Sequence, residues 1–502
     1  MTTKTIQKLY SAKTLGELKQ TEYKSRSVKD EMRENLISAI KERRNLFEGI
    51  QGYEETVIPE IERAILARHS MNLLGLRGQA KTRIARSLIG LLDEYIPVIE
   101  GSQLREDPLL PITSFGKERV KMEGDDLPIS WLHKSERYSE KLATPDVTVA
   151  DLIGDVDPIK AANLKLDYSN ERVIHYGLVP RSHRGIFVIN ELPDLQPRIQ
   201  VALFNILQEG DIQIRGFQLR IPLDIQFVFT ANPEDYTNRG AIITPLKDRI
   251  QSQILTHYPK SIEVATSITK QEAKILPEQS ERVVLKDWIS DLLEEVSFAA
   301  RESELIDQKS GVSARLSISA MEHLIAAAEL RTLISGAKSS FVRVGDLSGI
   351  VPAITGKVEL VYEGEQDGPK SVALSLIGKA IRTRFPQVFP DPEMIKRRKK
   401  EDPYQSVVNW FNHHELELLN SDEDKIFESK LKSIDGLQEL VERYVPGAQN
   451  FEQSLWMEFV LHGLGEYNLL NKTVLENSIS FSDLIGSLFQ TGEDEEDYNF
   501  DG

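Results

Sequence analysis

The chain contains no cysteine. That absence excludes disulfides, thiolate metal sites and cysteine nucleophiles, and it is compatible with a reducing compartment. Long apolar runs are also missing: no window approaches the roughly 18 uninterrupted apolar residues of a membrane-spanning helix. Residues 1–20 lack the apolar core of a signal peptide. We therefore expect a soluble, cytoplasmic protein with no membrane partner.

Basic residues are scarce relative to acidic ones. Lysine and arginine number 61 against 78 aspartates and glutamates, which gives a formal charge of -17. The C-terminal segment TGEDEEDYNFDG contributes six of the negative charges, so the rest of the chain still carries -11. Because nucleic-acid phosphates are held by clustered Lys and Arg, this composition argues against a broad nucleic-acid surface.

The 502 residues are too many for one hydrophobic core. Short apolar segments alternate with segments of helical spacing in MNLLGL, KTRIARSLIGLLDEY, RGIFVIN and DIQFVFTA. Such alternation predicts an α/β fold with a parallel sheet. The stretch 100–147, which is rich in proline and charge, receives no assignment.

Changes in texture predict the domain organisation. Beyond Pro259 the spacing is helical, apart from one short segment, KVELVYEG, that could form a strand. The predicted order is an N-terminal helical extension (1–45), an α/β nucleotide-binding domain (46–258), an α-helical region (259–385), a C-terminal helical domain (386–490) and a disordered acidic tail (491–502).

A glycine-containing turn follows the first predicted strand. Its sequence, GLRGQAKTR, matches the phosphate-loop pattern G-x4-G-K-T except that Ala80 replaces the second glycine. Between a strand and a helix, such a turn surrounds phosphates with backbone N–H groups, Lys81 can reach the terminal phosphates, and Thr82 can bind Mg²⁺. The alanine is compatible with this role if its φ is negative; the alternative is a purely structural turn. The candidate nucleotide-binding residues here are Gly75, Arg77, Gly78, Gln79, Ala80, Lys81, Thr82 and Arg83.

The strand RGIFVIN leads into two polar residues, Asn190 and Glu191. Phosphate-loop ATPases place an aspartate there to hold a Mg²⁺-bound water and a glutamate to activate the attacking water. Glu191 is therefore the candidate general base, and Asn190 is a candidate metal contact. Because Asn190 lacks a negative charge, we expect metal support on the order of tenfold weaker, and impaired rather than abolished hydrolysis. The alternative is that both residues only cap the next helix.

Three further polar residues occupy suggestive positions. Asn232 follows DIQFVFTA and could orient the attacking water, although Asn-Pro is also a common turn signal. Arg249, in ITPLKDRI, could reach the γ-phosphate on a neighbouring subunit, and Arg315, in GVSARLSIS, could contact phosphate in cis. Taken singly, each arginine is better explained as a surface salt-bridge partner. Their order along the chain makes them candidates.

That order resembles the order of motifs in the AAA+ ATPases: a phosphate loop, an Asn-Glu strand end, the hairpin sequence DIQIRGFQLRIP, an Asn strand end, an Asp-Arg and a Ser-Ala-Arg. The segments TVADLIGDVDPIKAAN and YGLVPRSHRGIFVINELPDLQPRIQVALFNILQEGDIQIRG are similar to those of the magnesium chelatase subunit I and MoxR branch. The resemblance covers about residues 45–360. Residues beyond 385 have no counterpart in the short chelatase subunit.

The resemblance implies a P-loop AAA+ core with helix-2 and hairpin insertions, in which 259–385 form an α-helical lid. It implies ATP and Mg²⁺ as cofactors, a homo-oligomeric ring, expected to be a hexamer, and a partner with a von Willebrand factor A domain. The roles that it implies are phosphate and metal contacts by Lys81 and Thr82, further nucleotide contacts by Ile50 and Gly52, a second acidic motif at Asn190 and Glu191, sensor 1 at Asn232, an arginine finger at Arg249 and sensor 2 at Arg315.

Three functions fit these observations. The first is an ATP-driven motor or chaperone that remodels or activates a partner protein, with metal insertion or assembly as candidate purposes. The second is a nucleotide-gated scaffold that scarcely hydrolyses ATP, with Asn190 as its signature. The third is a DNA-dependent motor or transcription activator, against which the acidic composition argues.

Overall fold

The computed structural model describes residues 10–167, 170–213, 220–233, 241–398 and 402–484. The chain divides into two compact units, residues 1–257 and 258–502. The predicted end of the α/β domain at residue 258 falls at this division. Each unit is built around its own hydrophobic core.

A parallel sheet organises the first unit. Its described strands are β1 (Met71–Leu74), β2 (Tyr95–Ile99), β3 (Ile129–His133), β4 (Tyr138–Leu142), β5 (Gly154–Val156), β6 (Ile174–Tyr176), β7 (Gly185–Asn190), β8 (Asp211–Gln213), β9 (Arg220–Pro222), β10 (Ile225–Ala231) and β11 (Ser252–Leu255). The central sheet has the order β11-β1-β10-β7-β4, and all its neighbouring strands are parallel. All of β10 is buried, and so is β7 except for its last residue. The apolar runs form these strands because helices cover both faces of a parallel sheet.

The register of this sheet brings three strand ends together. Leu74 in β1 lies opposite Ala231 in β10, and Ile189 in β7 lies opposite Phe229 in β10. The chain therefore leaves β1, β7 and β10 at the same edge of the sheet. Ligands of open α/β sheets bind at this carboxyl edge.

Helices surround the sheet of the first unit. The α-helices are Leu15–Lys19, Val28–Glu42, Val57–Leu66, Lys81–Ser87, Ser114–Glu123, Val149–Leu152, Pro158–Leu164, Leu178–Arg181, Pro197–Ala202, Phe204–Glu209 and Thr244–Arg249. Short 3₁₀ segments occur at Leu88–Leu91, Gly124–Asp126, Lys134–Arg137, Glu171–Val173 and Leu192–Asp194. The segment that follows β7 thus contains two helices, Pro197–Ala202 and Phe204–Glu209, separated at Leu203.

Three antiparallel strand pairs lie outside the central sheet: β2 with β3, β5 with β6, and β8 with β9. The last pair falls within the predicted hairpin sequence DIQIRGFQLRIP, and Ile212 lies opposite Ile221 in it. Residues 214–219 of that sequence lie outside the described residues. Strands β3 and β4 both come from the stretch 100–147, to which the sequence assigned no element.

Residues 1–45 were predicted to form an N-terminal extension, but the described part of this segment packs into the first unit. Helix Val28–Glu42 begins at Ser27, whose hydroxyl accepts from Asp30 N. Its apolar face packs in a core cluster shared with β1, β7 and β10. Glu31 on this helix also accepts two hydrogen bonds, of 2.6 and 2.7 Å, from the fully buried Arg137 guanidinium. The helix is therefore an integral part of the first unit.

The second unit is mainly helical. Its α-helices are Ile262–Glu272, Pro277–Arg282, Asp287–Arg301, Arg315–Ser335, Val351–Thr355, Tyr362–Asp367, Pro369–Arg384, Pro392–Arg398, Gln405–Phe411, Asp424–Lys432, Leu437–Tyr444 and Phe451–Glu466, with 3₁₀ segments at Gly345–Ile350 and Phe385–Gln387. Its strands are β12 (Val283–Val284), β13 (Ser340–Phe341), β14 (Leu416–Leu419), β15 (Asn471–Val474) and β16 (Ser478–Ser482). One core cluster runs from Val283 to Phe481.

The C-terminal region differs from the expected separate helical domain in two respects. Residues of 259–385 and of 386–490 share the same core cluster, so the predicted boundary at 385 does not separate two cores. Residues 386–490 also contain an antiparallel sheet with the order β14-β16-β15. Its strands are only four or five residues long, which is too short for a clear period-two signal.

The segment KVELVYEG forms one isolated bridge, between Leu360 and Ile306, and then a helix from Tyr362, so the expected strand is absent. The acidic tail, 491–502, lies outside the described residues. Within the ranges given above, no helix combines the length and apolarity needed to cross a bilayer.

Candidate functional site

The phosphate loop joins β1 to helix Lys81–Ser87, as its sequence predicted. Gly75 begins the loop, and a Cβ atom there would collide with the side chains of Thr256 and Gln79. Gly78 has a φ of +73°, a conformation that glycine adopts without steric cost. Only glycine therefore fits position 75 without a shift of its neighbours.

The backbone of Ala80 corrects one expectation from the sequence. Its φ is +55° and its ψ is +15°, in the left-handed region, so the condition of a negative φ, under which alanine was compatible with the loop, is not met. The loop enters the helix at this residue, and the turn requires the left-handed conformation that the usual glycine supplies. For an alanine this conformation costs roughly 1–2 kcal/mol. The loop keeps the phosphate-loop geometry at that cost.

Lys81 is the buried cation of the site, with 7% of its surface exposed. Its ammonium donates to the carbonyl oxygens of Gly75 and Leu76, the latter at 2.9 Å, and to Asn232 Oδ1 at 2.6 Å. An ammonium has three protons, so these acceptors occupy its donor capacity. All three acceptors are uncharged, so an anion entering the loop could compete for the ammonium.

Asn232 connects this cation to the candidate general base. Its Nδ2 donates to Glu191 Oε2 at 2.8 Å, while its Oδ1 accepts from Lys81. Lys81, Asn232 and Glu191 therefore form one continuous hydrogen-bonded chain. The sequence predicted each of the three residues, and the structure brings them together.

Glu191 has an unusual backbone for a non-glycine residue. Its φ is +54° and its ψ is +51°, which places it in the left-handed region directly after β7. Its N–H donates to Thr230 Oγ1 at 3.1 Å, and its carbonyl accepts from Asp194 N at 3.0 Å. Such strain at a functional position persists only when surrounding contacts fix it. Thr230 is one of those contacts, and no motif pointed to it.

Asn190 ends β7 beside the same threonine. Thr230 Oγ1 donates to Asn190 Oδ1 at 3.3 Å, and the side chain of Asn190 is half-buried. Thr82, its predicted companion in metal binding, is half-buried at the second position of helix Lys81–Ser87. An amide oxygen and a hydroxyl are both oxygen ligands that suit Mg²⁺. Their role as metal contacts stays a prediction.

A second layer of residues supports the loop from behind. Tyr53 OH donates to the carbonyls of Gln79 and His257, at 3.1 and 2.7 Å, and its ring packs edge-on against His257. Thr256 Oγ1 donates to Gln79 Oε1 at 2.7 Å. Sequence reasoning missed these supports, because nothing local distinguishes them from other buried residues.

The remaining predicted nucleotide contacts are spread around this loop. Ile50 is buried, and Gly52 has a φ of +78°; both lie within three residues of Tyr53. Arg77 and Arg83 have exposed side chains, whereas Gln79 is buried. Apart from the role of Gln79 in holding the loop, their contribution to nucleotide binding stays a prediction.

The two candidate arginines lie in different units. Arg249 ends helix Thr244–Arg249; its Nε donates to Gln208 Oε1 at 2.9 Å and its Nη1 to the Pro245 carbonyl at 2.7 Å. Its guanidinium also lies 5.0 Å from the centre of the Phe204 ring. Arg315 begins helix Arg315–Ser335 in the second unit and has an exposed side chain. Their roles as arginine finger and sensor 2 stay predictions.

The residues present fit a nucleotide phosphate with Mg²⁺. The loop turns through two left-handed residues, Gly78 and Ala80, and Lys81 sits buried directly after them. Thr82 and Asn190 offer the oxygen donors that magnesium prefers. The Glu191 carboxylate accepts a hydrogen bond of 2.8 Å from the Asn232 amide, which in turn contacts Lys81, so a candidate base lies beside the candidate phosphate contact.

Comparisons with known proteins agree with this geometry. Residues 168–254, which include β7 and β10, match the family model of the Sigma-54 interaction domain. The chain is 26% identical over 210 residues to the magnesium-chelatase 38 kDa subunit of Cereibacter sphaeroides, a match that covers 40% of this chain and 55% of that protein. The chain thus spans about half the length of this curated relative.

Two solved structures are more distantly similar to the chain. NtrX from Brucella abortus in complex with ADP is 12% identical with a TM-score of 0.37, and the match covers 68% of this chain and 66% of that one. The complex between subunits BchI and BchD of magnesium chelatase is 18% identical with a TM-score of 0.33, and the match covers 64% of this chain and 98% of that chain.

The sheet order, the phosphate loop and the matched residues define an α/β P-loop fold of the AAA+ class, followed by a helical C-terminal region. Within that class, the chain is similar to the magnesium chelatase subunit I branch. This is the branch that its motifs resemble.

Proposed function

We propose that this protein is an ATP-hydrolysing, ring-forming motor that remodels or activates a partner protein. The observation that carries the proposal is the hydrogen-bonded chain from Lys81 through Asn232 to Glu191. Through Asn232, it couples Lys81, which would contact phosphate, to Glu191, which would activate water. An anion that attracts the Lys81 ammonium changes the partners of Asn232 and, through its amide, those of Glu191.

The chemistry follows from these contacts. Bound Mg²⁺ would neutralise charge on the phosphate oxygens, with Thr82 and Asn190 as its protein contacts. The Glu191 carboxylate would accept a proton from the attacking water as the water oxygen bonds to the γ-phosphorus. The bond from that phosphorus to the bridging oxygen breaks, so the products are ADP and phosphate. Asn232 would orient the water, and Arg249 of a neighbouring subunit would stabilise the developing charge.

The first test replaces Glu191 with glutamine. Glu191→Gln keeps the size of the side chain but removes the base, so turnover should fall at least about a hundredfold. Affinity for a fluorescent ATP analogue should change by less than about threefold, because Glu191 is not a phosphate contact. Steady-state phosphate release and a binding titration measure the two quantities.

The matched control is Glu94→Gln, because Glu94 is an exposed residue of the same unit. It should leave both turnover and affinity unchanged. If Glu191→Gln hydrolyses ATP at the wild-type rate, Glu191 is not the general base.

A nucleotide-gated scaffold is the second candidate, and Asn190 is the observation that favours it. Its amide oxygen accepts from Thr230, and the side chain brings no negative charge to a metal. Asn190→Asp should raise turnover about tenfold at limiting Mg²⁺ if the motor is merely slowed by this residue. Steady-state hydrolysis at several Mg²⁺ concentrations gives the comparison. Background turnover by the wild type in an assembled, partner-bound ring would favour the scaffold instead.

We further propose a homo-oligomeric ring, a hexamer by family resemblance, with a partner that carries a von Willebrand factor A domain. The support is the similarity to a magnesium-chelatase subunit and to a solved BchI–BchD complex. Cytoplasmic localisation and metal insertion belong to the same proposal. Light scattering with and without ATP and Mg²⁺ tests the ring, and a monomer under both conditions would contradict it.

A further inference from the structure

A cavity of about 350 Å³ lies inside the second unit, between helices Pro369–Arg384 and Phe451–Glu466 and strands β15 and β16. One part of its wall is aliphatic, with Leu347, Leu374, Ile377, Val474 and Ile479, and the remainder includes polar residues such as Ser348 and Thr473. The volume falls in the range of small-molecule sites, which is roughly 300–1,000 Å³. A space of this size with walls of this kind can hold the body of a small apolar molecule.

His462 lines the same cavity and has an unusual state. Its side chain is only 5% exposed, and both ring nitrogens are buried without a hydrogen-bond partner. The nearest carboxylate oxygen, on Glu458, lies 3.9 Å from Nε2, beyond hydrogen-bonding distance. The Phe481 ring packs edge-on against the imidazole, with 5.4 Å between the ring centres. An unsatisfied buried polar group costs roughly 1–3 kcal/mol, so a buried imidazole with two such atoms calls for a partner.

The charge around the cavity is balanced. Lys472 and Glu466 line it as an ion pair, with side chains 15% and 21% exposed. Burial holds the pKa of His462 well below its usual range, so the imidazole is neutral near pH 7. It therefore offers one donor and one acceptor. The cavity thus presents hydrogen-bonding groups without a net charge to attract an ion.

We propose that this cavity is a binding site for a small aliphatic molecule with one uncharged polar head group, such as a hydroxyl or an amide. Both ring nitrogens of His462 are closed off from the cavity in this structure, so the ring turns one of them towards the head group. The aliphatic body lies against Leu374 and Ile377. A charged ligand is excluded, because its charge would be buried without an unpaired counter-ion. None of the cavity residues named here contributes to the nucleotide site, so the site is separate from the proposed ATPase chemistry.

The test is a titration of the full-length protein, with 15N-labelled histidine, against n-hexanol, hexanamide and hexanoate. The two neutral probes should give saturable shifts of the His462 ring nitrogens, and the other histidines should not respond. Hexanoate should bind at least about tenfold more weakly, because burying its carboxylate is costly. Calorimetry on the same samples gives the affinities.

Two variants separate this site from non-specific binding. Ile377→Trp fills the cavity and should weaken n-hexanol binding at least about tenfold. The control is His414→Phe, because His414 stacks on Trp410 at an exposed position away from the cavity. It should leave binding unchanged.

Two results would overturn the proposal. One is the absence of a saturable shift with either neutral probe in the wild type, which would mean that the cavity holds only water. The other is equal binding by the wild type and by a folded Ile377→Trp variant. The wild-type titration decides the matter even if that variant fails to fold.

Discussion

The two units use buried charge in different ways. In the first, the Lys81 ammonium contacts uncharged oxygens, one of which belongs to Asn232. The Asn232 amide then donates a hydrogen bond to the half-buried Glu191 carboxylate. In the second, the buried Arg331 guanidinium forms a bidentate pair with Asp346 and also donates to the Phe341 carbonyl at 2.6 Å. In the first arrangement an incoming phosphate would offer the ammonium a charged acceptor in exchange for a carbonyl or amide oxygen, whereas in the second the guanidinium already holds a bidentate carboxylate.

The difference shows why burial alone does not identify a functional site. A buried cation on neutral acceptors gains from an incoming anion, because charge-assisted hydrogen bonds are stronger than neutral ones. A buried ion pair with satisfied hydrogen bonds gains nothing comparable and mainly holds the fold together. The identity of the partner separates the two roles, and the following predictions test that separation.

The largest expected effect comes from Arg331→Met. It leaves the Asp346 carboxylate buried without its cation, so the free energy of unfolding of the second unit should fall by about 3–5 kcal/mol. Urea denaturation followed by tryptophan fluorescence measures this loss. Trp288, Trp410 and Trp456 all lie in the second unit, so they report on it.

The control for this variant is Arg282→Met. Arg282 pairs with Glu329 in the same unit, but its side chain is 43% exposed. Such a pair contributes less than about 1 kcal/mol. Equal effects of the two variants would mean that the buried pair does not hold the second unit together.

An intermediate effect is expected from Asp224→Asn in the first unit. Asp224 Oδ2 accepts from Val28 N at 2.7 Å, and burial raises the pKa of its carboxyl from 3.8 to about 6. A raised carboxyl pKa means that the folded state binds the proton more tightly. The associated stability is therefore present below about pH 4 and is lost as the pH rises through about 6.

Asparagine keeps the hydrogen-bond acceptor but carries no charge. At pH 8 the variant should be more stable than the wild type by on the order of 1–3 kcal/mol, and the gain should vanish near pH 4. Thermal unfolding between these pH values measures it. Asp125→Asn, at an exposed position, is the control and should stay within about 0.5 kcal/mol at every pH. Destabilisation by Asp224→Asn at pH 8 would mean that the folded state needs this charge, as it needs that of Asp346.

The smallest effect is expected from Ala80→Gly. Glycine relieves the left-handed strain but adds conformational freedom to the unfolded chain, so the net gain in stability should be below about 1 kcal/mol. Thermal unfolding and a nucleotide titration measure the outcome, and the affinity should stay within about threefold. A loss of more than about 1 kcal/mol would show that the Ala80 methyl group contributes packing, which its exposed position argues against.

Much of the fold could be predicted because its central strands are apolar runs. The segments of β1, β7 and β10 have this signal, since both of their faces are buried. Strand β4, YSEKL, lies at the edge of the sheet and is only partly buried, so it resembles a loop in the sequence. The antiparallel strands of the second unit are also short and only partly buried, so their sequences show no apolar run of this kind.

The chemical groups of the site and their order along the chain could be read from the amino-acid sequence. Lys81, Thr82, Glu191 and Asn232 could be identified because phosphate chemistry requires those residue types after strands. The folding of the chain sets the contacts, since Lys81 and Asn232 are 151 positions apart. It also decided the left-handed backbone of Glu191 and the support from Thr230. Periodicity is a local property of a chain, whereas hydrogen-bond partners and strain depend on which distant segments pack together.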